Sequence, residues 1–211
     1  MRKKKREKIM LSKQSPILHL IIVFTALLFS ACSVTQQGTD NTTKAGLKKE
    51  YSATYADALS SMKNGESKQA QKLLQQVINQ QPDFSNAHVN LGIVFFKNNS
   101  LNEAENSFHH ALRTNPENIY ALNQLGILYR KQGKFSAAKS SYEKAIDINS
   151  DYALAYLNLG ILYDLYLYDF PNAIKHYNKY QGLTENKDKQ VEKWIIDLER
   201  RQNSQNEKKS K

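Results

Sequence analysis

Cysteine is almost absent from this chain, since Cys32 is the only one among 211 residues. A single cysteine excludes an internal disulfide, so the fold must hold by packing in any redox compartment. Long apolar runs are also scarce. The one strong run, residues 17–29, is short for a helix that must cross about 30 Å of hydrocarbon. An uncleaved membrane anchor is therefore the second reading of this segment.

The sequence also lacks the motifs of common catalytic sites. It contains no H-E-x-x-H, no G-x-S-x-G, no Walker loop and no glycine-rich strand-to-helix turn. Glu105 precedes His109 by four residues, but two ligands do not make a metal site. His88 is expected to be a satisfied, partly buried histidine. We therefore predict a protein that is not an enzyme, with no cofactor, metal or small-molecule substrate.

Basic residues are concentrated at the start of the chain. Seven Lys and Arg and one acid precede residue 16, whereas from Cys32 onward 23 Lys and Arg face 19 Asp and Glu. The net charge of +10 is therefore not a basic stripe on the body of the protein. Because nucleic-acid-binding proteins carry such a stripe, we predict no nucleic-acid partner.

The first 32 residues have the order of a secretory signal. A basic segment precedes the apolar run, and small residues Ser30 and Ala31 lead into Cys32. The sequence F-S-A-C resembles a bacterial lipobox, although Phe29 stands where an aliphatic residue is usual. The resemblance implies cleavage after residue 31 and the attachment of acyl chains to Cys32. Stable anchoring needs more than one such chain, and a lipoprotein carries more than one. The other reading is an accidental cysteine at the end of a signal anchor.

The segment after the cysteine is polar. Residues 33–46 hold many Thr, Gln and Asn and almost nothing apolar, which predicts a flexible tether over 32–46. Ser33 follows the cysteine instead of the Asp that commonly retains lipoproteins at the inner membrane. By this resemblance we expect the protein in the bacterial envelope, lipid-anchored at the periplasmic face of the outer membrane.

The rest of the chain repeats with a period of 34 residues. Gly92, Gly126 and Gly160 keep this spacing, as do Ala70, Ala104 and Ala138, and Pro82 and Pro116. Apolar residues recur at helical spacing within each period. Residues 65, 99 and 133 are Gly, Asn and Gly, which suit left-handed turns. The fourth unit breaks phase, because thirteen residues separate Gly160 from Ala173 where the others have twelve.

This pattern resembles the tetratricopeptide repeat, a helix-turn-helix unit of about 34 residues. The resemblance implies an all-α, right-handed superhelical solenoid of about four helix pairs with a C-terminal capping helix. Val191, Trp194, Ile195 and Leu198 would form the buried stripe of that cap. The predicted repeat domain, 47–203, contains repeats 51–84, 85–118, 119–152 and 153–187 and a cap helix at 187–201, followed by a disordered tail at 204–211.

The family resemblance also implies a concave groove lined by the first helices. The predicted groove residues are Tyr55, Leu59, Val89, Ile93, Phe96, Lys97, Tyr120, Asn123, Ile127, Arg130, Lys131, Leu157 and Ile161. They either pack partly on neighbouring helices or form an apolar groove for a partner's peptide or helix. Tyr166 and Tyr168, in the irregular fourth unit, are a second candidate surface, although we expect them to pack under the Trp194 helix.

These features predict a membrane-anchored scaffold or adaptor that binds another envelope protein through its groove. The lipoprotein-plus-repeat layout resembles pilotin-like assembly lipoproteins of type IV pili, and also envelope lipoproteins that recruit proteases or peptidoglycan enzymes. A peptidoglycan-associated structural lipoprotein is the alternative from another class.

Overall fold

The computed structural model describes the backbone of residues 41–185 and 187–209, and the side chains of 52–185 and 187–204. The predicted signal peptide 1–31, Cys32 and the first part of the predicted tether lie outside the described residues. The described chain consists of helices joined by short turns. Its α-helices are α1 (Asn41–Asn64), α2 (Ser67–Gln80), α3 (Ser85–Lys97), α4 (Leu101–Thr114), α5 (Ile119–Lys131), α6 (Phe135–Ile148), α7 (Ala153–Leu162), α8 (Phe170–Gly182) and α9 (Lys189–Lys209).

The chain divides into two compact units, Met1–Asp83 and Phe84–Lys211. The sequence predicts one repeat domain over 47–203, whereas the structure has two compact units. It falls at the boundary between the first two predicted repeats. Each repeat contacts mainly its neighbours in such an array, and the boundaries between repeats are therefore the natural places for a division.

In the first unit, α1 and α2 form a helix pair. Its buried apolar side chains are Ala58, Ala70, Leu74, Val77 and Ile78. Helix α1 begins at Asn41, inside the segment predicted as a flexible tether. The tether prediction is therefore wrong for residues 41–46. This stretch contains no proline, and adding a residue to an existing helix costs far less than starting one.

The second unit contains three more helix pairs, α3 with α4, α5 with α6, and α7 with α8, and α9 packs on α8. The predicted all-α arrangement of about four helix pairs and a C-terminal helix is confirmed. The predicted stripe of the last helix is buried as well, at Val191, Trp194, Ile195 and Leu198. The ring of Trp194 lies 5.6 Å from that of Tyr177, between centroids, which joins α9 to the last pair.

The repeat glycines lie where the two helices of a pair approach most closely. A Cβ atom placed on Gly92 would stand 2.5 Å from the ring of Phe108, and one on Gly160 would stand 2.6 Å from the ring of Tyr177. The turns within the pairs use a left-handed residue, with φ of 80° at Gly65, 63° at Asn99 and 78° at Gly133. The predictions for these turns are confirmed.

The fourth pair accommodates its extra residue as a π-helix at Tyr163–Leu167, directly after α7. In a π-helix each backbone hydrogen bond spans five residues instead of the four that it spans in an α-helix. The π-helix therefore takes up one extra residue, which accounts for the thirteen-residue spacing. Tyr168 follows it with φ of 56° and takes the left-handed position that Gly or Asn holds in the other pairs.

The last helix continues further than predicted. It runs to Lys209, whereas the sequence predicted a cap helix ending at 201 and a disordered tail from 204. The prediction is wrong for 204–209, because the polar residues after 201 include neither proline nor glycine to stop the helix. No helix in the described part of the chain is both long and apolar enough to cross a membrane.

Candidate protein-interaction surface

The first helices of the second unit, α3, α5 and α7, form a layer in which α5 contacts both of the others. We call these three helices the first-helix layer. Helix α5 is capped by Asn118, whose side chain accepts a hydrogen bond of 3.0 Å from the backbone N–H of Ala121. Asn118 also donates to Ser85 Oγ at 2.7 Å and to Asn86 Oδ1 at 2.9 Å, so that the start of α5 is fixed to the start of α3.

Two predicted groove residues, Tyr55 and Leu59, belong to the first unit. Both lie on α1 and both are half-buried. They are one helical turn apart, so they share one side of the helix.

Most of the predicted groove residues of the second unit are buried within the fold. Less than a twentieth of each of these side chains is exposed: Val89, Asn123, Ile127, Arg130, Leu157 and Ile161. The alternative that these residues pack on neighbouring helices therefore describes them better than an open groove does. They position the first-helix layer without themselves reaching its surface.

The remaining predicted groove residues are accessible. Lys97 and Lys131 are exposed, Tyr120 is 39% exposed, and Ile93 and Phe96 are half-buried. The ring of Tyr120 meets that of Tyr152 edge-on, with 5.6 Å between centroids. The accessible part of the predicted groove thus combines aromatic rings with lysines, and its aliphatic content is small.

Two cation–aromatic contacts join α5 to neighbouring elements of the second unit. Lys131 Nζ lies 5.4 Å from the ring centroid of Phe96, on α3. Arg130 Cζ lies 5.8 Å from the ring centroid of Tyr166, in the π-helix. We call Phe96, Lys131, Arg130 and Tyr166 the cation–aromatic row. Each contact joins two elements. Such contacts are worth about 0.5–1 kcal/mol at exposed sites, as at Lys131, and about 2 kcal/mol where the cation is desolvated, as at the buried Arg130.

The fourth member of this row was not among the predicted groove residues. The broken spacing predicts an irregular turn, but not that the π-helix would place Tyr166 beside Arg130 and 5.1 Å from the ring of Phe135. Tyr168 is 72% exposed, so the prediction that it packs under the Trp194 helix is wrong. The left-handed backbone at Tyr168 turns the chain toward α8 and leaves this ring in solvent. Leu167, next to it, is 39% exposed.

Buried polar contacts also join elements of the second unit. Asn158 donates a hydrogen bond of 2.8 Å to Asn123 Oδ1, and the hydroxyl of Tyr177 donates one of 3.2 Å to Asp164 Oδ2. Burial raises the pKa of Tyr142 to about 12, while the positive charge of Arg130 acts in the opposite direction. Buried hydrogen bonds of this kind specify one register between helices, because any other register would leave the amides unpaired.

The histidines that the structure describes do not form a ligand cluster. His88 is buried, as expected, and its ring stacks on that of His110 with 4.5 Å between centroids. His109 Nε2 lies 4.0 Å from Glu105 Oε1 and 3.1 Å from the hydroxyl of Tyr129. Among the described residues, no group of three or more His, Cys, Asp or Glu is placed to hold a metal ion.

Comparison with known protein families identifies the repeats. Residues 61–125 match the model described as tetratricopeptide repeat, and residues 126–164 match the one described as TPR repeat. The two matches together cover residues 61–164, and they confirm the resemblance of this part of the chain to the tetratricopeptide repeat. No curated protein is significantly similar to it in sequence.

Solved structures of tetratricopeptide proteins share its fold. The pilF protein of Pseudomonas aeruginosa is 21% identical, with a TM-score of 0.69 over 75% of this chain and 72% of that chain. A MamA structure is 21% identical, with a TM-score of 0.55 over 71% and 96%. The first repeat domain of Spaghetti (RPAP3), bound to an HSP90 peptide, is 21% identical, with a TM-score of 0.51 over 55% and 90%. At these identities the likeness concerns the fold alone, and it confirms the predicted fold class of a superhelical tetratricopeptide solenoid.

Proposed function

We propose that the chain is a lipid-anchored, non-catalytic adaptor of the bacterial cell envelope that binds a partner protein through its first-helix layer. The observation that carries the proposal is the tetratricopeptide array itself, because this fold is a protein-interaction scaffold. The lipobox-like sequence before Cys32 supports the anchor, and the secretory order of residues 1–31 supports the envelope.

The anchor is tested at Cys32. Cells that express the full chain are grown with a labelled fatty acid, and the Cys32→Ser variant is compared with the wild type. We expect lipid label and loss of residues 1–31, read by intact mass, in the wild type only. Label that persists in Cys32→Ser, or a mature chain that retains residues 1–31, would contradict the proposed anchor.

Partner binding is tested in the envelope. A photo-crosslinking amino acid is placed at Tyr120, whose ring is partly exposed on α5, and in parallel at Ile196, which is 50% exposed on α9. We expect a discrete crosslinked protein from position 120 and none from position 196. Identical products from both positions, or co-sedimentation of the chain with purified peptidoglycan, would favour a peptidoglycan-associated structural protein instead.

The fold similarity to pilF favours a second candidate, an assembly lipoprotein of type IV pili or their secretin, which the lipoprotein-plus-repeat layout resembles. Deletion of the gene would then remove surface pili and secretin multimers, and the wild-type gene would restore both. Unchanged piliation in the deletion strain would exclude this candidate while leaving the adaptor proposal in place.

A further inference from the structure

The turn of the fourth helix pair exposes two neighbouring apolar side chains. Leu167 is 39% exposed and Tyr168 is 72% exposed, and Tyr166 and Phe170 on either side of them are half-buried. Among the described side chains, no other two neighbours in sequence are both large, hydrophobic and exposed. We call residues 166–170 the aromatic tip. Single exposed apolar residues are ordinary, but a group of them is a patch that favours contact with another apolar surface.

The backbone of the aromatic tip is strained where it is most exposed. Tyr168 has φ of 56°, a left-handed conformation that residues with a Cβ atom disfavour. The other pairs have glycine or asparagine at this position, so the turn itself does not require a tyrosine. A strained residue whose ring gains little packing within its own chain is a candidate for contact with something outside it.

Both carboxylates of this turn are engaged within the fold. Asp164 is 3% exposed and accepts a hydrogen bond of 3.2 Å from the hydroxyl of Tyr177. Both oxygens of Asp169 accept hydrogen bonds from Asn172, at 3.1 Å from its backbone N–H and at 2.7 Å from its Nδ2. The aromatic tip therefore offers rings and an aliphatic side chain, and its acids serve the start of α8 and the core.

Cations of the neighbouring elements are paired with acids. Arg201 Cζ lies 5.9 Å from the ring centroid of Phe170, and Arg201 Nε lies 3.5 Å from Asp197 Oδ2. In the turn of the preceding pair, Lys134 Nζ lies 3.8 Å from Glu105 Oε2. Neither pair adds a net charge that would attract a strongly acidic or strongly basic partner.

Helix α8, which begins in the aromatic tip, adds positive charge alone. It contains no Asp or Glu, and Lys175 and Lys179 are exposed on it. Lys175 lies one helical turn after the exposed Pro171, on the same face of the helix. An apolar tip with ammonium groups beside it matches a bilayer surface, where phosphates lie beside acyl chains.

The proposed lipid anchor keeps a bilayer close to the described chain. Helix α1 begins nine residues after Cys32, and a stretch of that length spans at most about 30 Å. Short tethers produce effective concentrations on the order of mM, so a contact too weak to hold a free protein becomes populated. Tyrosine suits such a contact, because its ring is apolar and its hydroxyl stays among the headgroups.

We propose that the aromatic tip docks on the bilayer to which Cys32 is anchored, with Leu167 and Tyr168 inserted at the level of the lipid headgroups. This inference rests on the proposed anchor and goes beyond it by naming the surface that meets the lipid. The ring of Tyr120 contacts Tyr152, which directly precedes α7, whereas the tip follows the end of α7. Docking through the tip therefore leaves Tyr120 clear of the bilayer.

Tryptophan fluorescence tests the contact on the acylated full chain. The probe is a vesicle of phosphatidylethanolamine and phosphatidylglycerol whose acyl chains carry bromine next to the headgroup. Tyr168→Trp places a reporter at the tip, and Tyr120→Trp is the same substitution at the other end of α7. The wild type supplies the background, because its one tryptophan, Trp194, is 5% exposed.

We expect the added emission of Tyr168→Trp to shift to shorter wavelength, and bromine to remove about half of it or more, since an inserted ring lies at headgroup depth. The emission of Tyr120→Trp and of the wild type should not change. Absence of quenching in Tyr168→Trp, or equal quenching in Tyr120→Trp, would overturn the proposal.

Photo-crosslinking in cells distinguishes a bilayer from a protein at the same surface. A photo-crosslinking amino acid at position 168 should form products with phospholipid, identified by mass spectrometry. Leu167→Ser in the same chain should lower their yield severalfold, whereas Ile196→Ser, at a side chain 50% exposed on α9, should not. Circular dichroism verifies that both variants are folded. A discrete protein product from position 168, or equal yields in both variants, would overturn the proposal.

The outcomes separate the tip contact from the proposed function. If Cys32 carries lipid and position 120 crosslinks to a protein, but position 168 crosslinks to no lipid, the proposed function stands and the tip contact is wrong. If Cys32 carries no lipid, the anchor and the tip contact are both wrong, because two side chains are too small to hold a chain on a bilayer.

Discussion

The repeat glycines limit how the helix pairs can change in evolution or by design. Gly126 lies against the ring of Tyr142, and that ring is fully buried and cannot move aside. The same arrangement occurs at Gly92 with Phe108 and at Gly160 with Tyr177. A large ring on the second helix thus fills the space that the missing side chain leaves on the first. The glycine and the ring are one packing unit, repeated three times.

Gly126→Ala should therefore destabilise the protein even though alanine is the better helix former. The added methyl overlaps the Tyr142 ring, and overpacking of this kind costs about 1–3 kcal/mol, against about 1 kcal/mol gained in helix propensity. We expect a lower urea midpoint. Gly182→Ala is the matched control, because a Cβ there meets no atom within 4 Å. It should be neutral or stabilising, and equal destabilisation by both substitutions would contradict the clash.

His176 links stability to pH. Burial, assisted by the positive charges of Lys175 and Lys139, lowers its pKa from 6.5 to about 4, while Asp169 acts in the opposite direction. Its ring stacks on Tyr163 with 5.5 Å between centroids. Because the folded state disfavours the charged ring, the unfolded chain binds more protons between these two pKa values. The contribution of His176 to stability is thus complete above pH 6.5 and is lost as the pH falls toward 4.

His176→Phe keeps an aromatic ring and removes this titration. As the pH falls from 6.5 to 4, we expect the free energy of unfolding of His176→Phe to rise by about 1–2 kcal/mol relative to that of the wild type. This value is smaller than the full pKa shift would give, because the ring is partly exposed. Urea unfolding across this range measures the difference. Lys175→Gln removes one of the charges that lower the pKa of His176. The dependence of its stability on pH should therefore lie between that of the wild type and that of His176→Phe. A pH-independent difference would show that His176 does not control this transition.

The π-helix and the turn after it are the irregular element of the second unit. Tyr168 adopts a left-handed backbone that costs a non-glycine residue about 1–2 kcal/mol, and its ring is 72% exposed, so it gains little packing in return. The equivalent turn residues in the other pairs are glycine or asparagine. The fourth turn is therefore more strained than the others.

Tyr168→Gly should relieve this strain and raise the free energy of unfolding by about 0.5–1 kcal/mol, less than the full strain because glycine also gains freedom in the unfolded chain. Asn99→Gly, at the same turn position with φ of 63°, is the matched comparison. Its gain should be smaller because asparagine tolerates this conformation. Thermal unfolding measures both, and a loss of stability in Tyr168→Gly would indicate that the tyrosine ring makes contacts that outweigh the strain.

The sequence predicts the regular parts of these elements well and the irregular parts poorly. The 34-residue period predicts the helix pairs, the left-handed turns and the stripe around Trp194, because each depends on local spacing. The break after Gly160 shows where the pattern fails, but the position of Tyr166 depends on contacts with Arg130 and Phe135 from other elements. The helix ends at Asn41 and Lys209 were missed because polar sequence without proline is compatible with both coil and helix.

The candidate surface is also predicted well in its local features and poorly in those that depend on contacts between helices. Family resemblance predicts which positions lie on the first helices, and those positions do lie there. It does not predict that Ile127 and Ile161 are buried while Lys97 and Lys131 are exposed. Exposure is decided by how tightly adjacent first helices pack, and this depends on buried pairs such as Asn123 with Asn158. An aliphatic position in one repeat therefore becomes core as soon as the next repeat covers it.

Across the whole chain, the division into Met1–Asp83 and Phe84–Lys211 predicts how the protein unfolds. In repeat proteins stability is a sum of repeat and nearest-neighbour terms, so a weakened repeat can unfold before the others. Leu74 is fully buried in the first unit, whereas Trp194, the only tryptophan, lies in the second. Tryptophan fluorescence thus reports on the second unit, and circular dichroism reports on both.

Leu74→Ala should therefore separate the two signals. Removing this side chain costs about 2–5 kcal/mol locally, so the urea transition followed by circular dichroism should start earlier and broaden. The fluorescence midpoint of Trp194 should move much less. Leu198→Ala, an equally buried leucine on α9, is the matched control in the second unit and should shift the fluorescence midpoint directly. If both signals shift together in Leu74→Ala, the two units unfold as one cooperative body, and a partner bound to the first-helix layer would then stabilise the first unit as strongly as the second.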